Sequence, residues 1–215
     1  LLPTNVMALK FNMVGASVPA SGFVNLPVNL TSLDTSIIDC IVQSTVWRAR
    51  EIMRPFQHLP RNMLSLTCGL SSNWIDFDLA GLESSSLTAL YFSCSHTNPC
   101  PTSILRHLPP TLETLSIDLN LVCFSANPTF SWLPRGLKSL RIHTVTAYKT
   151  HASEPFMDFQ MLPTELTRLE LENGCLLRDS DVAHLPRTLQ TLSIRLHLCS
   201  FQSHVCNGNA AAIPS

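Results

Sequence analysis

Two short segments carry the donor types that zinc takes. Cys94-Ser95-His96 is followed by Cys100, and His197-Leu198-Cys199 is followed by His204-Val205-Cys206. Thiolate and imidazole are preferred zinc donors, but a structural site needs close pairs such as Cys-x2-Cys matched by a second pair at a set distance. Neither segment has that spacing, so both are read as structural and no metal is expected. The second is the better of the two, because it offers four donors within ten residues and a metal there would close one end of the fold. Three further histidines, His58, His107 and His184, each stand directly before a Leu-Pro pair. Catalysis would need them to converge, whereas equivalent places in successive units spread them along an edge. Enzyme motifs are absent: there is no Gly-x-Ser-x-Gly elbow and no phosphate-binding glycine loop, and the chain has seven glycines in all. No catalytic residue and no cofactor are expected.

The Leu-Pro pairs belong to a unit that must position everything else. It reads Leu-Pro-x-x-Leu-x-x-Leu-x-Ile/Leu, as in Leu108-Pro109, Leu112, Leu115 and Ile117. Three copies follow, beginning at Leu133-Pro134, Leu162-Pro163 and Leu185-Pro186, with strand cores Leu140-Arg141-Ile142, Leu169-Glu170-Leu171 and Leu192-Ser193-Ile194. Worn copies precede them at Leu2-Pro3, Leu26-Pro27 and Leu59-Pro60; Thr35 replaces an aliphatic residue in the second, and Met63 and Cys68 are softer fillers in the third. A further copy around Leu87-Leu90-Tyr91-Phe92 lacks Pro and has Leu82 one residue out of register. The starts fall at 2, 26, 59, 83, 108, 133, 162 and 185, spaced by 24, 33, 24, 25, 25, 29 and 23 residues. A unit of this length cannot bury its apolar face alone, so neighbouring copies must stack.

This pattern resembles that of leucine-rich repeat proteins, Leu-x-x-Leu-x-Leu-x-x-Asn/Cys-x-Leu. Leu112, Leu115, Ile117, Asn120 and Val122 occupy those slots in the fifth copy. The leading Leu-Pro is similar to repeats of bacterial effectors and to FNIP-type repeats of protists, and the likeness covers roughly residues 2 to 199. The resemblance implies an α/β repeat solenoid, a horseshoe of about eight repeats with a parallel concave sheet and mostly irregular convex returns. In the other copies the Asn slot holds Val14, Ile38, Ser71, Ser95, Val145, Gly174 and His197. That Asn satisfies turn backbone in the family, so its loss here predicts irregular turns and a distorted solenoid. Some of the effectors carry a separate ubiquitin-ligase domain, for which these residues leave no room.

Composition agrees with a continuous apolar core: 45% of the residues are hydrophobic and only 13% are charged, about half the usual ~25%. A net charge of −1 supplies no global field for nucleic acid or an anionic membrane. No apolar run reaches the length of about 18 residues that a membrane-spanning helix needs. The chain begins inside a repeat and shows no polar capping unit at its start, which predicts a segment of a longer array over 1–206, with residues 207–215 a flexible tail. Eight cysteines (Cys40, Cys68, Cys94, Cys100, Cys123, Cys175, Cys199 and Cys206) suggest a disulfide scaffold at first sight. Cys68 and Cys199, however, occupy apolar slots of the repeat, which favours reduced thiols and an intracellular, cytoplasmic setting.

Each Leu-x-Leu/Ile core predicts a short strand whose leucines point inward and whose intervening residues point outward onto the concave face. The returns, rich in Ser, Thr, Asn and Pro, predict loops and single turns. One exception is a helix opening at Ser36 and Asp39, running over Ile37, Ile38, Ile41, Val42, Val46 and Trp47 towards Pro55; another is a turn over Asp181–His184 capped by Asp179 or Ser180. The outward positions of the early copies are mostly small and polar. The later ones gather Asp118, Arg141, His143, Arg168, Glu170, Glu172 and Arg195, with Tyr91 just before them. Cross-strand pairing accounts for such a set if Arg141 and Arg168 reach Glu170 and Glu172 reaches Arg195 or His143. The functional expectation is a surface for an unidentified protein partner, with Tyr91 and the arginines as anchors. The alternative is the substrate-recognition part of a larger enzyme such as a ubiquitin ligase.

Overall fold

A computed structural model describes residues 3–11, 25–35, 55–70, 82–83, 85–94, 102–120, 130–145, 158–172 and 179–195. The expected helix between Ser36 and Pro55, the end segment His197–Cys206, the tail 207–215 and all but one of the Asn-equivalent positions lie outside these residues. So does everything after Cys94 in the Cys94–Cys100 segment.

The described residues form a repeat solenoid with one strand per unit. Strands β1 (Ala8–Phe11), β2 (Ser32–Thr35), β3 (Ser65–Leu70), β4 (Ala89–Cys94), β5 (Thr114–Asn120), β6 (Ser139–Val145), β7 (Arg168–Glu172) and β8 (Thr191–Arg195) make one sheet in chain order. Every pairing is parallel and in repeat register, so Leu66, Leu90, Leu115, Leu140, Leu169 and Leu192 stand in one row. Parallel neighbours need a crossover of a dozen residues or more, which each unit supplies. Helix is scarce among the described residues: the one α-helix is α1 (Asp179–Val182), at the turn anticipated between Asp179 and His184. None is long and apolar enough to cross a membrane.

The Leu-Pro part of the unit explains the entry into most of the strands. The N–H of the leucine in Pro-x-x-Leu donates to the proline carbonyl, at 3.0 Å for Leu30 and Met63 and 3.1 Å for Leu112 and Leu137. Proline has no N–H to lose and a preset φ, so it suits the first place of such a turn. It also holds the residue before it extended, as at Leu162 (φ −62°, ψ 143°), which ends the preceding 3-10 turn Phe159–Met161. Where Pro is missing, the turn forms two residues earlier: Ser85 donates its N–H to the Leu82 carbonyl at 2.9 Å and its hydroxyl to the same oxygen at 2.6 Å. Leu82 thereby reaches the core in spite of its offset and is fully buried.

One carbonyl per unit ties each coil to the next. Met7, Thr31, Leu64, Thr88, Glu113, Lys138 and Thr167 each accept two N–H groups from the following coil at 2.8–3.1 Å. Thr31, Thr88 and Thr167 also donate their hydroxyls to these carbonyls. The inner sheet face and the leucines of the turns make one core, in which Leu112, Leu115, Leu137, Leu140, Leu166 and Leu169 are wholly buried. Each such leucine contributes about 1.5–3 kcal/mol. Cys68 is buried in that core, and Thr35 is accommodated there by donating its hydroxyl to the Thr67 carbonyl at 2.9 Å.

The described ends of four returns are single turns, as expected. Short 3-10 turns at Pro55–His58, Thr102–His107, Phe130–Trp132 and Phe159–Met161 lead into Leu-Pro and seat Phe56, Leu105, Phe130 and Phe159 in the core. Phe130 and Phe159 meet with their rings tilted by 59°, at 6.2 Å between centroids. Arg106 lies 4.1 Å over the Trp132 ring, a cation–π contact on the outside of these turns.

Candidate partner-binding face

With leucines filling one side of the sheet, period two leaves the alternate residues on the other side. In strand order the central row reads Lys10, Asp34, Thr67, Tyr91, Ser116, Arg141, Glu170 and Ser193. The next row includes Gly69, Ser93, Asp118, His143, Glu172 and Arg195. All eight residues anticipated for the face, Tyr91, Asp118, Arg141, His143, Arg168, Glu170, Glu172 and Arg195, sit on the five strands from β4 to β8.

They form two linked networks. Tyr91 donates its hydroxyl to Asp118 Oδ2 at 2.9 Å, and His143 Nδ1 lies 3.2 Å from Asp118 Oδ1. Arg141 Nη2 donates to both oxygens of Glu172, at 3.1 and 3.0 Å, with its Nε 3.7 Å from Glu170. Arg195 Nη1 reaches Glu172 Oε1 at 3.3 Å, and Arg168 clasps Glu170 two residues along its own strand, with Nε at 2.6 Å. The outward pattern predicts Arg141 and Arg168 on Glu170, and Glu172 on Arg195 or His143. The structure keeps Arg168–Glu170 and Arg195–Glu172, makes Glu172 the main acceptor for Arg141, and sets His143 beside Asp118. The geometric reason is that Arg141 and Tyr91 both lean diagonally, one pair further along the adjacent strand, which long side chains reach and short ones do not. Ser116, in register with both Tyr91 and Arg141, has a buried hydroxyl oxygen with no hydrogen-bond partner.

Charge is layered across this face. The carboxylates lie low, with side chains of Asp118, Glu170 and Glu172 19%, 15% and 10% exposed, while those of Arg141, Arg168 and Arg195 are 44%, 57% and 67% exposed. The hydrogen bonds from Arg141, outweighing burial, hold the Glu172 carboxyl below the usual carboxylate range and raise the Arg141 guanidinium in turn. Burial, then the hydrogen bond to Asp118 and its charge, push the Tyr91 phenol up to about 12.

No protein-family model, curated protein or solved structure matches this chain.

The face therefore has to be read from its own chemistry. Among the described residues no group of three or more His, Cys, Asp and Glu converges to hold a metal. His58 and His184 are exposed at separate units of one edge; His184 Nε2 lies 3.3 Å from Gln160, and His107 pairs with Glu83. A shallow open hollow of about 660 Å³ lies at the entries to the first strands, lined by Asn5, Met7, Asn29, Thr31, Asn62, Leu64 and Ser86. Its asparagines at the third place of Pro-x-Asn were readable in the sequence as a column and were not singled out. The Tyr91 contact yields a direct check. The chain has two tyrosines, so in a Tyr148→Phe background the ultraviolet titration of the folded protein is expected to show a single phenol ionising near 12. Asp118→Asn should move that midpoint down; an unshifted midpoint near 10 in the parent would show that Tyr91 does not donate to Asp118.

Proposed function

We propose that this chain is a non-catalytic protein-interaction module of leucine-rich-repeat type, binding its partner through the outer, concave sheet face. The supporting observation is the layered network on β4–β8. In a chain with 13% charged residues, six of them, together with His143, are concentrated on adjacent strands, with the arginine heads outermost. Their rigid parallel frame fixes where those heads stand, which lowers the ordering cost of association. Arginine and tyrosine are the side chains that most often anchor protein interfaces.

A second reading is favoured by the pairing itself: a structural array whose charges serve only one another. One experiment separates the two. Arg168 and Arg195 hold their carboxylates from exposed positions, so Arg168→Gln/Arg195→Gln removes charge while keeping donors and should leave the fold intact. Wild type and variant, shown by circular dichroism and melting to be folded, are compared in affinity capture from native lysate. A protein retained by wild type and depleted on the variant is the expected outcome. Identical captured sets would assign the charges to stability alone.

A further inference from the structure

Resting on that reading of the face, we propose that Arg141, Arg168 and Arg195 form a docking site for an extended, acidic segment of the partner protein. The argument begins with what the arginines already hold. Each guanidinium is anchored by a carboxylate beneath it: Arg141 on Glu172, Arg195 on Glu172, and Arg168 on Glu170. Arg195 reaches Glu172 through Nη1 at 3.3 Å while its side chain stays 67% exposed. Side chains held at one edge and 44–67% exposed at the other present cationic hydrogen-bond donors to an incoming ligand, above carboxylates that are nearly covered. Planar forks of this kind match carboxylates.

Spacing narrows the ligand further. The three arginines stand on β6, β7 and β8, with Arg168 opposite Ser139 and Thr191, Arg141 opposite Glu170, and Arg195 opposite Glu172. Their heads are closer than their Cα atoms: Arg141 Nη2 and Arg195 Nη1 both reach Glu172 Oε1, at 3.1 and 3.3 Å, and Arg168 Nε stands on Glu170 on the same strand. Carboxylates at alternate residues of an extended peptide, about 7 Å apart, match heads set this closely. A nucleic acid fits less well. The three arginines are confined to β6–β8, the whole chain carries −1, and a phosphate backbone seeks a continuous cationic strip.

The test uses fluorescence anisotropy with a labelled eight-residue peptide of alternating Ser and Glu. A Ser/Lys peptide of equal length and a single-stranded DNA oligomer are the comparisons. Wild type should bind the Ser/Glu peptide and not the Ser/Lys peptide. Binding should weaken about tenfold in Arg168→Gln/Arg195→Gln, and should fall as salt rises from about 50 to 200 mM. No binding of the Ser/Glu peptide, equal binding by wild type and folded variant, or DNA binding as tight as the peptide would each overturn the proposal. If a partner captured through this face is not displaced by the Ser/Glu peptide, the acidic preference is lost while the partner-binding reading stands.

Discussion

Leu140→Ala is expected to lower the unfolding free energy by about 2–5 kcal/mol. Leu140 is wholly buried in β6, in register between Leu115 and Leu169, which are also wholly buried. Removing its side chain leaves a void that the flanking coils cannot both close, since each is pinned by two N–H groups on one carbonyl of its neighbour. In a solenoid each coil meets only its neighbours, so a fault at β6 weakens coupling between the two halves of the array as well as local packing. The same change at Leu192 in β8, where the side chain is 41% exposed, should cost less than about 1 kcal/mol. Urea unfolding followed by circular dichroism gives both values. Equal losses at the two positions would mean that the leucine row is not the continuous core described above.

Glu172→Ala should be the most damaging change on the outer face, at about 1–3 kcal/mol. The carboxylate is 10% exposed and accepts from Arg141 at 3.0 and 3.1 Å and from Arg195 at 3.3 Å. Its loss leaves two guanidinium groups beside each other without their anion, although their exposure lets water take up part of the cost. A double-mutant cycle with Arg141→Ala isolates the pair. The pH dependence follows from the same contact. The folded-state carboxyl is depressed, so on acidification the unfolded chain takes up its proton first, near about 4.3. The stabilisation is therefore complete well above that value and is lost as pH falls through the lower, folded-state value. Wild type should lose more stability than Glu172→Ala across that window. Parallel curves would show that the Glu172 contacts contribute nothing.

Much of the fold is legible in particular residues. Leu115-Ser116-Ile117 and its equivalents alternate with period two, and the recurrence of Leu-Pro at nearly even spacing brings each one to the same phase of its coil. The strands, their parallel order and the outward row from Lys10 to Ser193 follow from that alone. The column Phe56, Leu105, Phe130 and Phe159, three residues before each Leu of Leu-Pro, was equally open to reading. Within any one return, however, a single apolar residue in a polar loop carries no periodicity of its own.

The face shows where such reading stops. Strand alternation determined that Tyr91, Asp118, Arg141, His143, Arg168, Glu170, Glu172 and Arg195 share one side of a sheet, because side-chain direction in a strand depends only on parity and register. Only the tertiary structure decided that Arg141 takes Glu172 ahead of Glu170, that Asp118 receives both Tyr91 and His143, and that the carboxylates lie beneath the arginines. Those outcomes turn on side-chain reach and the competition of several donors for one acceptor across adjacent coils, and no spacing along the chain records them.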